Sequence, residues 1–237
     1  MPSKSLPLRL SAVAIVLLVI LFFMLIRSGA GWSASEKTII NGEGVMRVLT
    51  IEDKSDSLFL RTPCKDLTIK EIRSTEYTTL AERMLVTVTS PEQDGVGIAG
   101  PQVGIGRRVV AVQRFDKEGE PFEVYPNIRV TAKRGSPEPG PEGCLSIPGR
   151  RGDVLRWQDI DIAYTSPRTG RDTTETIKGF TAVIFQHETD HLDGILDIDK
   201  RVPGCRCCDT CSYSRTARPP QILRRSCPGR CMRWTAA

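Results

Sequence analysis

The chain of 237 residues holds two histidines, and they stand four apart in Gln186-His187-Glu188-Thr189-Asp190-His191-Leu192. No other feature constrains the fold as strongly. On an α-helix, residues i and i+4 share a face, so a helix here brings both imidazoles within reach of one metal ion. Glu188 then lies close enough to work on a water at that ion without being a ligand itself. The helix is expected over residues 180–192. Two histidines rarely complete a catalytic metal site, which needs a third protein ligand and one position left for water.

Shorter elements precede that helix. Tyr77, Leu80, Ala81, Met84, Leu85 and Val88 follow helical spacing, with Ser74 or Thr75 as N-cap. Pro91 and Asp94-Gly95 end that helix. Residues 107–113 read as a buried strand and 124–130 as a second. Residues 137–141, with three prolines, read as a rigid loop. Residues 159–165 alternate at period two, and 172–177 make a strand partner for them. Residues 28–60 carry no clear pattern. Short strands followed by one late helix indicate an α+β fold rather than a parallel doubly wound sheet. The expected architecture is small antiparallel sheets packed around a central helix carrying the HExxH motif, plus an N-terminal hydrophobic helix.

The two ends differ from the middle. Residues 10–26 form an uncharged run with Ser11 as its one polar member, preceded by Lys4 and Arg9 and closed by Arg27. Its length is near the lower limit for spanning a bilayer. Residues 1–30 are therefore expected to be a transmembrane anchor or a removed signal segment, with the body membrane-anchored or exported. After Lys200 the composition changes and apolar periodicity stops. Residues 201–237 hold six of the eight cysteines and read as a disordered tail. The other readings of the tail are a second metal site at Cys205, Cys207, Cys208 and Cys211, or disulfides in an exported protein. From Lys200 onward there are nine Lys or Arg and one acid, so residues 1–199 carry a small acidic excess. The net charge of +5 thus gives no case for nucleic-acid binding by the body. The catalytic domain is expected over 31–200.

The middle supplies the remaining motifs. Cys144 lies in Glu142-Gly143-Cys144-Leu145-Ser146, and Gly95-Val96-Gly97-Ile98-Ala99-Gly100-Pro101-Gln102 stands upstream. In this order the three segments resemble the peptide deformylase family, with its GxGxAAxQ, EGCLS and QHExDHL segments. The likeness covers about residues 45–199, and Gly100 replaces the family's usual alanine. The resemblance implies that Cys144, His187 and His191 bind one divalent metal, iron(II) in the cell, with Zn2+, Ni2+ or Co2+ able to occupy the site. It further implies that Glu188 is the acid/base and that Gln102 and the Leu145 backbone N–H donate to the oxyanion. The implied substrate is an N-formyl-methionyl peptide or nascent chain, which releases formate. Val96, Val183 and Ile184 are candidates for the methionine slot because they adjoin these motifs. Gly97 has no assigned role at this level, and Gly100 is expected to loosen its loop. Two alternatives stand beside this reading. One is a metzincin-like metallopeptidase with Asp197 as third ligand. The other is a membrane-tethered deformylase homologue without turnover.

Overall fold

The structure, a computed structural model, describes residues 14–17 and 31–202. Four helices open the main described part, and each begins at a side chain that accepts the helix's own free N–H groups. Ser33 and Glu36 form a reciprocal capping box on α1 (Ala34–Ile40), as Thr68 and Glu71 do on α3 (Ile69–Ile72). Asp53 caps α2 (Lys54–Leu60), and Ser74 caps α4 (Thr75–Val88), one of its two expected N-caps. The S-x-x-E spacing at 33–36 is a local signal for α1 that the reading of 28–60 as patternless passed over.

Strands β1 (Gly97–Ala99), β2 (Val109–Gln113) and β3 (Phe122–Pro126) form an antiparallel sheet in the order β1-β2-β3. Alternate residues of β2 serve two cores. Val109 and Ala111 pack with Leu80 and Met84 of α4, and Val110 and Val112 with Ile160, Ala182 and Phe185. A strand covered on both faces reads as a continuous apolar run, which is how 107–113 reads.

The strand expected over 124–130 is two strands. Asn127 adopts φ 56°, a left-handed conformation that asparagine tolerates, and its amide is tied to both backbone groups of Leu67 at 2.7 and 2.8 Å. The chain turns there and enters a second sheet as β4 (Arg129–Arg134). That sheet is ordered β4-β7-β8, with β7 (Asp159–Thr165) and β8 (Asp172–Lys178) paired as expected. The expected loop at 137–141 is also a strand. β5 (Glu138–Cys144) pairs with β6 (Ile147–Arg156) in a separate two-stranded ribbon. Pro139 and Pro141 are two residues apart and so face the same way, and a ribbon with one partner leaves an edge where no N–H is required.

Helix α5 (Gly179–Leu192) runs between these sheets, with Ala182, Phe185 and Leu192 at 0% exposure. The α+β class and the central helix are as expected.

The expected membrane anchor requires correction. Among the described residues no helix is long and apolar enough to cross a membrane. Of the apolar run, Ala14–Leu17 is described, as one exposed helical turn. The rest of that run, and the cysteine-rich tail from Pro203, lie outside the described residues. The N-terminal hydrophobic helix, the membrane partner and the membrane-anchored localisation are therefore not upheld. Hydropathy alone suggested them.

Candidate active site

Each expected ligand comes from a well-determined position on its element. Cys144 ends β5, and β6 resumes at Ile147 after a tight turn through Leu145 and Ser146. His187 and His191 lie on one face of α5, with ring centroids 5.0 Å apart. Cys144 Sγ lies 3.2 Å from His191 Nε2, and one ligand atom from each of the three residues falls within 4.8 Å of the others. Metal–ligand bonds of roughly 2.0–2.3 Å require ligand atoms about this close together. One thiolate and two imidazoles, clustered and largely buried, therefore fit a divalent transition-metal ion. Asp197, the alternative third ligand, is absent from this cluster. Its side chain is fully buried and paired with Arg201 at 2.6 Å, which removes the metzincin-like arrangement.

A cavity of about 780 Å³ opens onto this cluster, and Val96, Gln102, Leu145, Val183, Ile184 and Glu188 are among its lining residues. Glu188 is 4% exposed, and its Oε2 has no hydrogen-bond partner among the described residues. Burial pushes its carboxyl up to about 7, against the lowering influence of His187. Gly97 has a role here that the sequence left open. A Cβ at this position would stand 2.5 Å from Glu188 Oε1 and 2.9 Å from Ile184 Cγ2, so the glycine makes the room that Glu188 occupies.

Gln102 is held at its oxygen end, because its Oε1 accepts the Ala99 N–H at 2.8 Å. The amide nitrogen consequently points to Ser146 Oγ at 3.3 Å and Cys144 Sγ at 3.7 Å. The same side chain thus caps a 3-10 turn (Gly100–Val103) and presents a donor at the site. Among the described residues no turn or loop backbone acceptor takes the Leu145 N–H. Gly100, expected to loosen its loop, stands close to the backbone of 105–107. A Cβ there would lie 2.7 Å from the Arg107 carbonyl and 2.9 Å from that of Ile105. The absence of a Cβ admits this close backbone approach.

Two short contacts set these motifs against each other. The Leu49 N–H donates to the Gln102 carbonyl at 2.8 Å, and the Ile51 N–H to the Ser146 carbonyl at 3.0 Å. The backbone of 49–51 thereby bridges the glycine-rich segment to the Cys144 turn.

Behind the ligands lies a charged relay that sequence reasoning missed. His187 Nδ1 is 2.8 Å from Glu142 Oε2. Arg156 donates to both Glu142 oxygens at 2.7 and 2.9 Å and to Asp190 at 2.5 Å, and Lys200 completes the chain at 2.6 Å. Burial opposes the Glu142 charge, but Arg156 and His187 outweigh it and hold the carboxyl at about 2. For His187, burial is outweighed by Cys144 and Glu142, so its pKa stays well above the usual value. His191, beside it, is driven well below by burial and by His187. Gln186 serves the frame, since its amide binds both backbone groups of Trp157 at 3.1 and 2.7 Å. Glu142 lay in view within its motif. Arg156, on β6, had no local signal.

The family model for polypeptide deformylase matches residues 45–206. The chain belongs to the polypeptide deformylase family. A peptide deformylase of Symbiobacterium thermophilum is 42% identical over 115 residues, 48% of this chain and 52% of that protein. One from Halothermothrix orenii is 38% identical over 157 residues, 66% of this chain and 96% of that protein. The chain thus spans about half the length of the first relative and nearly all of the second. Among solved structures, a class I type b peptide deformylase from Acinetobacter baumannii bound to Met-Ala-Ser superposes with TM-score 0.58 at 31% identity. It covers 66% of this chain and 98% of its own. The chain is a deformylase, a metal-dependent hydrolase that removes the N-formyl group from peptides.

Proposed function

We propose that deformylation runs at the Cys144–His187–His191 cluster, with Glu188 as general acid/base and N-formyl-methionyl peptides as substrates. The observation that carries this reading is the convergence of the three ligand atoms within 4.8 Å beside a buried carboxylate with an unpartnered oxygen. A divalent ion held there supplies a Lewis acid that brings a water's pKa toward neutrality.

The chain's own groups do the rest. Glu188 takes the water's proton as the oxygen attacks the formyl carbon, then returns it to the departing amine as the C–N bond breaks. Formate and a free N-terminal amine result. Gln102 Nε2 and the Leu145 N–H donate to the carbonyl oxygen as it gains charge, an effect worth about 2.7–4 kcal/mol per donor. Glu142 accepts from His187 Nδ1, which would leave Nε2 free to hold the ion, and Arg156 keeps Glu142 charged. Val96, Val183 and Ile184 form the apolar wall for the methionine side chain. The Met-Ala-Ser complex of the Acinetobacter relative supports a peptide that begins with methionine. The donor set suits iron, zinc, cobalt or nickel, and iron(II) is the ion we assign.

Anaerobic purification followed by metal analysis and a formate-release assay on formyl-Met peptides tests the reading. Cys144→Ala should lose metal and activity together, whereas Asp197→Ala should retain its metal. A metal-replete Cys144→Ala protein with full turnover would refute it, and so would a metal-loaded wild type with no turnover.

A further inference from the structure

Gln102 and Ser146 stand 44 positions apart, and one short stretch of main chain sets both. The Leu49 N–H holds the Gln102 carbonyl at 2.8 Å and the Ile51 N–H holds the Ser146 carbonyl at 3.0 Å. Both residues are enclosed, Gln102 at 1% exposure and Ser146 at 0%. Within this frame Gln102 Nε2 lies 3.3 Å from Ser146 Oγ, and among the described residues it is the one hydrogen-bond partner of that hydroxyl. A buried hydroxyl with a single partner gains little stability, since its desolvation roughly cancels one hydrogen bond. It therefore does little for the fold, while it does much for Gln102.

The orientation of the Gln102 amide is unambiguous. The Ala99 N–H can only donate, so the atom it meets at 2.8 Å is the oxygen. The nitrogen at the other end carries two hydrogens, which point in different directions within the plane of the amide. Ser146 Oγ accepts one of them. On its other side the nitrogen faces Cys144 Sγ at 3.7 Å, at the edge of the ligand cluster. Sulfur is a weak acceptor, so a carbonyl oxygen gaining charge beside that cluster takes this second hydrogen in preference. Anchored by its oxygen alone, the amide plane would be free to tilt. The contact at the nitrogen end removes that freedom.

We propose that Ser146 is a positioning residue for deformylation: its hydroxyl accepts one Nε2 hydrogen of Gln102 and so aims the other at the formyl oxygen. This rests on the reading of Gln102 as an oxyanion donor. A donor already aimed needs no reorganisation as charge develops. Ser146 is not among the residues that line the catalytic cavity, so it acts through Gln102 and not on the substrate.

A double-mutant cycle in the full-length, metal-loaded protein tests this. The readouts are kcat and KM on a formyl-Met peptide, with metal content and Tm measured beside them. Ser146→Ala removes one buried oxygen and should lower kcat roughly tenfold, less than the loss of about 10²–10³ on removing a donor outright. KM and metal content should stay near the wild-type values, as expected for a contact that matters only in the transition state. In a Gln102→Ala background the same substitution should change kcat by less than about twofold, because the group it positions is gone. A wild-type kcat in Ser146→Ala would overturn the proposal. So would an equal fold-loss in both backgrounds, which would make the hydroxyl a packing group, or a loss of metal, which would make it a support of the Cys144 turn. An unchanged kcat in Gln102→Ala alone is a different failure, since it would remove the donor role of Gln102 and the proposal with it.

Discussion

At the scale of single residues, the site depends on what is missing as much as on what is present. Gly97 leaves the volume that Glu188 fills. Gly97→Ala should therefore displace the carboxylate and lower kcat about 100-fold while metal content stays near the wild-type value, because misplacement of about 1 Å has effects of that size. Steady-state kinetics beside metal analysis would show it, and an unchanged kcat would mean that Glu188 tolerates the shift. Glu188→Gln should lower kcat by about 10²–10⁴ and keep the metal, because neither Glu188 oxygen belongs to the ligand cluster. The histidine spacing, Glu188 and Cys144 were all legible in the sequence, since each sits in a local motif. Gly97 was legible as a glycine but not as a space, because the side chain that fills the space is 91 positions away.

At the scale of elements, the ribbon β5–β6 and helix α5 are joined through Arg156. Its pairing with Glu142 is buried on both sides, at 4% and 6% side-chain exposure. Removing one partner of such a pair strands the other charge, so Arg156→Ala should destabilise the protein by about 3–5 kcal/mol, measured by denaturant unfolding. Glu142→Gln should weaken metal affinity by about 10–100-fold with a smaller loss of stability, measured by competition with a chelator. Equal metal affinity in the wild type and Glu142→Gln would disconnect the relay from the site. Elements with their own periodicity, such as α4, β7 and α5, were legible in advance. The break at Asn127 and the strand at 138–144 were not. The first depends on Leu67, some sixty positions earlier, and the second on a partner strand that makes its prolines tolerable.

At the scale of the whole molecule, the catalytic unit runs to at least Val202. The Val202 N–H donates to the Asp153 carbonyl at 2.8 Å, Arg201 bridges to Val154, and Arg201 neutralises the buried Asp197. A chain ending at Lys200 should lose about 1–3 kcal/mol relative to one ending at Val202, seen as a fall of several degrees in Tm. Equal Tm values would show that this strap adds nothing. Glu36, at the opposite end of the unit, contributes to acid stability. Burial works against the Glu36 charge, but its hydrogen bonds with Arg107 prevail and hold its pKa below the usual 4.5. A depressed carboxylate contributes stability that is present above its unfolded pKa and lost as pH falls through the folded one. Glu36→Gln should therefore be less stable than the wild type at neutral pH, and the gap should close below about pH 4. A gap that persists undiminished in acid would assign the effect to packing.

The bridge formed by residues 49–51 has a consequence for how such a chain can vary. Its two contacts to the Gln102 and Ser146 carbonyls are made by main-chain amides, which almost any amino acid supplies. The side chains answer to a separate demand, since Leu49 is buried in one apolar cluster with Cys144 and Ile147, whereas adding or deleting one residue would pull the two donor-bearing turns out of step. What those two amides require is spacing rather than spelling, which is why the stretch looked blank when read letter by letter.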